Sequence, residues 1–129
     1  MAGRVLVVDD DAAQRAAFAS ALAQGGYTVE QATEAGEAMR KALADPPDVV
    51  VLDLVLPDAH GVELAGAFRA VTPTRRTPIV VVTAYTDAAE RLDPKRFGAD
   101  CVLTKPVTDD QLRAAVERCA APADEDVEP

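Results

Sequence analysis

Short apolar segments recur along the chain, and most lack the alternation of polar and apolar residues that marks a half-exposed strand. Because a strand covered on both faces is apolar at nearly every position, this pattern predicts the buried strands of a parallel sheet. A fifth segment, residues 27–32, alternates and predicts an edge strand. The four non-alternating segments are residues 5–8, 49–52, 79–82 and 101–103.

Helical periodicity fills most of the intervals between these strands. Apolar residues three or four positions apart share one face of a helix. This spacing occurs in residues 11–24, 34–44, 61–71 and 108–120. The positions expected to face the sheet are Ala17, Phe18, Ala21, Leu22, Ala35, Ala38, Met39, Leu43, Leu64, Phe68, Leu112, Ala115 and Val116.

Local signals mark several of the predicted helices. Asp11 is expected to begin the first helix, and Thr108 with Gln111 has the spacing of a capping box. Gly66 lies inside a predicted helix, where glycine costs about 1 kcal/mol relative to alanine, so we expect it to serve close packing. Pro94 interrupts residues 86–98, which therefore predict two short turns rather than one long helix.

Strand and helix alternate five times, and parallel strands need helical crossovers, so the order predicts a doubly wound α/β fold. A length of 129 residues fits one domain, which we place at residues 1–121. Residues 122–129 are rich in Asp and Glu and are expected to form an acidic, disordered tail.

The charge balance narrows the functional classes. Thirteen Lys and Arg residues oppose 22 Asp and Glu residues, and the resulting net charge of −9 disfavours direct contact with nucleic acid. No apolar run approaches the ~20 residues of a membrane span, and residues 1–4 lead directly into a strand rather than a signal peptide. Cys101 and Cys119 are expected to be reduced, small hydrophobic residues, so we expect a cytoplasmic protein.

Polar residues without a packing role follow the apolar strands. Asp9 and Asp10 follow the first strand, Asp53 ends the third, Thr83 ends the fourth, and Lys105 follows the fifth. In a doubly wound sheet the carboxyl ends of the strands form the edge where ligands bind. We therefore expect three carboxylates, a hydroxyl and an ammonium group to converge there.

This set of groups favours phosphoryl chemistry on an aspartate. Three adjacent carboxylates repel one another unless a cation compensates, and Mg²⁺ prefers carboxylates, waters and phosphate oxygens. Lys105 and Thr83 offer a positive charge and a hydroxyl donor suited to a phosphoryl group. By contrast, His60 lacks a partner at zinc-ligand spacing, and Arg75 and Arg76 are expected to be solvated.

The sequence also resembles the receiver domain of two-component response regulators, in the manner of a single-domain chemotaxis regulator. The resemblance extends from about residue 4 to residue 120 and depends on the order and strand-end placement of several motifs. These are residues 7–10, residues 52–57 with Gly61, residues 82–84 and residues 103–106. It implies a flavodoxin-like (βα)₅ fold with strand order 2-1-3-4-5.

The resemblance also implies roles for individual residues. Asp53 matches the aspartate that accepts a phosphoryl group from a histidine-kinase phosphohistidine. Asp10 matches the direct carboxylate ligand of Mg²⁺, Asp9 the ligand that acts through water, and the backbone carbonyl of Val55 the remaining protein ligand.

Two further residues of the site are matched in the same way. Thr83 and Lys105 would each contact a phosphoryl oxygen, and the peptide bond between Lys105 and Pro106 is expected to be cis. We expect phosphorylation to draw Thr83 inward and to reshape the surface around the fifth strand and the helices beside it.

Four positions depart from the family pattern. Val102 replaces the usual switch aromatic, three residues before the lysine, and Pro94 alters a segment of the usual output face. Val55 and Tyr85 lie where polar residues modulate dephosphorylation in the family. Neither can orient a water molecule with a carboxylate or an amide, so slow self-dephosphorylation is expected.

The most direct interpretation is therefore a phosphoaccepting regulator that is not an enzyme in the usual sense. Its expected partners are a sensor histidine kinase or phosphotransfer protein and a downstream effector or fused output domain, with a phosphorylation-dependent homodimer also possible. One alternative is a pseudo-receiver that is never phosphorylated and acts only through binding. A less favoured alternative is an aspartyl-phosphate phosphatase, which needs a second acid where this chain has Val55.

Overall fold

A computed structural model describes residues 3–54, 56, 61–83 and 98–120, without the side chain of Val62. The expectations for Val55, His60, Tyr85, Pro94 and the acidic tail lie outside these residues.

Five parallel strands form one sheet in the order β2-β1-β3-β4-β5, as expected. The alternating strand lies at one edge, which confirms its predicted position, and the half-buried β5 lies at the other. The strands are β1 (Arg4–Val8), β2 (Thr28–Ala32), β3 (Val49–Asp53), β4 (Ile79–Thr83) and β5 (Cys101–Thr104).

Helices cover both faces of this sheet. On one face, α2 and α3 pack against a cluster that includes Leu6, Val50 and Val81. On the other, α1 and α4 pack against a second cluster formed by the alternate strand positions. The described helices are α1 (Ala12–Gln24), α2 (Ala35–Ala44), α3 (Gly61–Ala70) and α4 (Asp109–Ala120), with a short 3₁₀ turn at Thr72–Thr74.

Most of the predicted sheet-facing positions are correct, and two are wrong. Ala17 is exposed because the buried stripe of α1 is confined to Phe18, Ala21 and Leu22. Leu43 is 45% exposed, and the neighbouring Ala42 faces the sheet instead. The buried face of α2 thus consists of alanines at helical spacing, whose small size lets the helix approach the strands closely.

Both predicted helix starts are confirmed by hydrogen bonds. The Asp11 carboxylate accepts a hydrogen bond from the Gln14 N–H at 3.1 Å. At the start of α4, the Gln111 N–H donates to Thr108 Oγ1 at 3.0 Å, and the Thr108 N–H donates to Gln111 Oε1 at 2.9 Å. This reciprocal pair is a capping box, which satisfies two backbone donors that the helix itself leaves unpaired.

Arg69 joins three segments at the amino end of the sheet. Its guanidinium donates to the carbonyl oxygens of Thr77 and Gly98, each at 2.6 Å, and to that of Arg75 at 3.1 Å. It also contacts the Asp100 carboxylate at 3.2 Å. The same carboxylate accepts a hydrogen bond from the Ile79 N–H at 2.8 Å. The starts of β4 and β5 are therefore fixed together at the edge opposite the predicted site.

Glu37 anchors the start of α2 and should make stability depend on pH. Its carboxylate accepts from the Thr33 N–H at 2.8 Å and contacts Lys41 Nζ at 3.0 Å. The Thr33 hydrogen bond, followed by Lys41, lowers the pKa of Glu37 from 4.5 to about 2. Because the folded-state pKa is the lower one, this stabilisation is present above about pH 4.5 and is lost as the pH falls towards 2.

We expect Glu37→Gln to lower the free energy of unfolding by about 1 kcal/mol at pH 7, since the partly exposed carboxylate is screened by water. Urea denaturation of both proteins from pH 7 to pH 3 checks this, and the difference between them should narrow below about pH 4.5. Glu117→Gln, on α4, is the control for removing one negative charge. A difference that stays constant with pH would contradict the assignment.

Candidate phosphoacceptor and metal site

The parallel register places the predicted site residues at one edge of the sheet. Val8 is paired with Leu52, so the residues that follow them, Asp9 and Asp53, emerge at the same level. At the other side of β3, Thr83 at the end of β4 is paired with Thr104, the residue before Lys105. The predicted convergence of four strand ends is therefore present.

Three carboxylates meet at this edge. Asp9, Asp10 and Asp53 each offer a carboxylate oxygen, and these oxygens all lie within 4.8 Å of one another. Asp9 is buried, Asp53 is half-buried, and Asp10 is exposed. The cluster therefore extends from the protein interior to the solvent, as a ligand that enters from water requires.

Lys105 supplies the positive charge beside this cluster. Its Nζ lies 3.0 Å from Asp53 Oδ2 and 3.9 Å from Asp9 Oδ2. The Lys105 N–H donates to the Thr83 carbonyl at 2.8 Å, which ties the lysine to the end of β4. The Lys105–Pro106 peptide bond is cis, as expected.

Asp9 is the buried member of the three carboxylates. Its Oδ1 accepts the Asp11 N–H at 2.9 Å, but its buried Oδ2 has no hydrogen-bond donor among the described residues. Burial raises the pKa of Asp9, as do Asp53 and Asp10, whereas the Asp11 N–H and Lys105 oppose the rise. An inward-facing oxygen without a donor, beside two further carboxylates, fits a hard divalent cation such as Mg²⁺.

Arg15 is a residue of this region that the sequence did not indicate. From α1, its Nη1 donates to the Asp9 carbonyl at 2.7 Å and its Nε donates to Gln31 Oε1 at 3.1 Å. It thereby holds the turn after β1 against the end of β2. An arginine on a solvent-facing helix position carries no sequence signal of such a contact.

Thr83 and Val102 lie on the neighbouring strands β4 and β5. Thr83 is fully buried at the end of β4. Val102 is half-buried and packs against the hydrophobic cluster that α2 and α3 cover. The position of the family's switch aromatic is thus filled by a short aliphatic side chain on that face of β5.

Gly61 explains how α3 approaches the backbone of Asp53. Its N–H donates to the Leu54 carbonyl at 2.7 Å. A Cβ atom at Gly61 would lie 2.6 Å from the Asp53 carbonyl oxygen and 2.7 Å from the Leu54 Cα. Only glycine lets the first turn of α3 pack directly on the backbone of Asp53.

Gly66, five residues later in α3, corrects the sequence expectation of close packing. It is exposed, and a Cβ atom there would meet nothing within 4 Å among the residues described. The glycine therefore has no packing role on the described surface, and nothing in the structure explains it.

These two glycines make a matched pair of substitutions in one helix. Gly61→Ala should destabilise the fold by roughly 1 to 3 kcal/mol, because backbone atoms must shift to admit the Cβ. Gly66→Ala should stabilise the fold by about 1 kcal/mol through helix propensity. Urea denaturation of both variants checks the opposite signs, and equal shifts in the same direction would contradict them.

A flavodoxin-like sheet with an acidic cluster and a lysine at its carboxyl edge defines a class of α/β signalling domain. The family model described as "Response regulator receiver domain" matches residues 5–117. The chain therefore belongs to the response regulator receiver domain family.

Two curated regulatory proteins are similar in sequence to this chain. The chain is 39% identical over 124 residues to the transcriptional regulatory protein KdpE of Mycobacterium tuberculosis, covering 93% of this chain and 54% of that protein. It is 39% identical over 114 residues to the response regulator MprA of Mycobacterium ulcerans, covering 88% of this chain and 48% of that one. The chain thus spans about half the length of these curated relatives.

A solved structure supports the same fold. The chemotaxis response regulator CheY4 of Vibrio cholerae superposes with a TM-score of 0.85 at 31% identity, covering 92% of this chain and 99% of that one. Within the described ranges, no helix has the length and apolar character needed to cross a membrane.

Proposed function

We propose that this receiver domain accepts a phosphoryl group on Asp53 from the phosphohistidine of a sensor kinase or phosphotransfer protein. The observation that carries the proposal is the approach of Lys105 Nζ to within 3.0 Å of Asp53 Oδ2, beside two further carboxylates. A structural ion pair would not require the adjacent Asp9 and Asp10, whose mutual repulsion disfavours the empty cluster.

Transfer needs little from the protein beyond positioning and compensation of charge. An Asp53 carboxylate oxygen attacks the phosphorus as the bond from phosphorus to the histidine nitrogen breaks, and the imidazole leaves. Lys105 then pairs with a phosphoryl oxygen, and the Thr83 hydroxyl donates to another. Thr83 ends β4, the neighbour of β3, and Lys105 follows β5, one strand further along the sheet. Lys105 is therefore beside Asp53 before the donor arrives, and Thr83 closes on the phosphoryl group afterwards.

The metal in this proposal is Mg²⁺. The Asp10 and Asp53 carboxylates and the Val55 backbone carbonyl would bind it directly, and Asp9 would act through water. When bound, Mg²⁺ neutralises charge on the carboxylates and on the phosphoryl oxygens. The chain's own contribution is to hold the carboxylates together, which the Asp11 N–H and Arg15 do from the start of α1.

The signal is proposed to pass through protein contacts, either to a separate effector or to an output domain fused to the receiver. A homodimer formed on phosphorylation would be one such contact. The proposed setting is the cytoplasm, where a kinase and its regulator meet. Because Val102 has no aromatic ring to rotate, the coupling would run through Thr83 itself as it closes on the phosphoryl group. Direct binding to nucleic acid by this domain remains disfavoured by its net charge of −9.

Phosphorylation can be tested by intact-mass measurement after incubation with Mg²⁺ and acetyl phosphate. We expect the wild type to gain one phosphoryl group and Asp53→Ala to gain none. Lys105→Ala should bind Mg²⁺ but gain the group more slowly, by roughly 10² to 10³-fold, because one charge-compensating group is missing.

Glu117→Ala is the control, since it removes an exposed carboxylate on α4 that is not part of the acidic cluster. If neither acetyl phosphate nor a histidine kinase modifies the wild type, the phosphoacceptor proposal is wrong. Absence of Mg²⁺ binding in the same protein would then support the unphosphorylated binding module. Membership of the receiver family already argues against the phosphatase.

The lifetime of the phosphorylated protein tests the roles proposed for Val55 and Tyr85. We expect slow self-dephosphorylation because neither side chain can orient the attacking water through a carboxylate or amide. Val55→Asn should shorten the half-life several-fold, whereas Val55→Ala should leave it nearly unchanged. Decay of the phosphorylated mass with time measures this, and equal half-lives for both variants would contradict the interpretation.

A further inference from the structure

Two cysteines lie at the end of the domain opposite the acidic cluster. Cys101 is the first residue of β5, and Cys119 lies in the last turn of α4. Both are free thiols of intermediate exposure. Solvent-borne reagents can therefore reach them, in contrast to fully buried structural cysteines.

The topology brings these two residues together. Only residues 105–108 separate β5 from α4, so the helix returns antiparallel to the strand that it follows. The last turn of α4 therefore lies near the level at which β5 begins. Arg118 confirms this, because its Nη2 approaches Cys101 Sγ to 3.7 Å.

The packing places the two side chains on facing surfaces. Cys119 packs against the same cluster as Val116, which is three residues earlier and faces the sheet from α4. Cys101 packs against that cluster from the strand, together with Leu103, two residues along the same face. Strand and helix thus present the two thiols to each other across one interface.

The electrostatic environment of Cys119 reflects the same proximity. Burial raises the pKa of Cys119 to about 11, and the nearby Cys101 and Asp100 add to the rise. Cys119 therefore stays protonated near neutral pH, which lowers its reactivity towards a peroxide.

We propose that Cys101 and Cys119 are a redox modification site that forms an intramolecular disulfide when the protein meets a peroxide. The cross-link joins β5 to α4 and closes the loop between them. Disulfides of this transient kind are the form that intracellular proteins use for redox sensing. The proposal is independent of phosphorylation, since it involves no residue of the acidic cluster.

The chemistry balances in two steps. The Cys101 thiolate attacks one oxygen of hydrogen peroxide, the O–O bond breaks, and Cys101 becomes a sulfenic acid as one water leaves after proton uptake. The Cys119 sulfur then attacks the Cys101 sulfur, the S–O bond breaks, and a second water leaves with the Cys119 proton. The two cysteines lose two electrons in total, and the peroxide gains them.

The test is oxidation of the purified, reduced chain with hydrogen peroxide, followed by intact-mass measurement and non-reducing peptide mapping. We expect a monomer about 2 Da lighter, in which a disulfide links the peptides that contain Cys101 and Cys119, and reversal by dithiothreitol. Cys119→Ser should instead accumulate a sulfenic acid at Cys101 that a dimedone probe labels.

Cys101→Ser is the matched control and should react more slowly, with no loss of mass. Circular dichroism of each variant shows whether it remains folded, and the wild-type result does not depend on either. Intermolecular dimers alone, oxygen adducts alone, or two thiols that still alkylate fully after peroxide treatment would each overturn the proposal.

Discussion

The parallel register of β1, β3 and β4 is the constraint on which the rest of the molecule depends. It aligns Val8 with Leu52, and Asp53 with Val82, so that each strand ends at the same edge. The polar side chains at this edge include the buried Asp9 and Thr83, so burial alone does not account for their polarity. A shift of one residue in β3 would turn Asp53 away from this position and reverse which valines face each helix layer.

Small residues allow the helices to pack closely on that sheet. Ala35, Ala38 and Ala42 line the buried face of α2, and glycine at position 61 lets α3 begin against the backbone of Asp53. The domain has only three Phe and no Trp, so its core is filled by many short aliphatic side chains rather than a few large ones. Close approach of helix to sheet, rather than aromatic bulk, fills the core beneath the site.

Much of this arrangement could be predicted from the sequence. Unbroken apolar segments identified the strands, and the alternation in residues 27–32 identified one edge. The polar residues after the strands identified the cluster, since every carboxyl end of a parallel sheet meets at one edge. The spacing of Thr108 and Gln111 predicted the two hydrogen bonds between them, because a capping box is a local structure.

The remainder depended on contacts between distant segments. Leu43 was expected at the sheet because it lies at helical spacing from Met39, but the direction of α2 is fixed by the alanine stripe, which leaves Leu43 exposed. The contacts of Arg15 with Gln31 and of Arg69 with Asp100 join segments that only the folded chain brings together. Periodicity describes one element at a time and contains no information about such pairs.

The buried Oδ2 of Asp9, which accepts no hydrogen bond from the described residues, also has a thermodynamic consequence. Lys105 Nζ lies 3.9 Å from this oxygen but 3.0 Å from Asp53, so it offsets only part of the cost of burying the Asp9 charge close to two other acids. Any cation that binds there only in the folded state restores that stability by mass action. With Mg²⁺ bound as proposed, the melting temperature of this domain would rise with the concentration of the divalent ion around it.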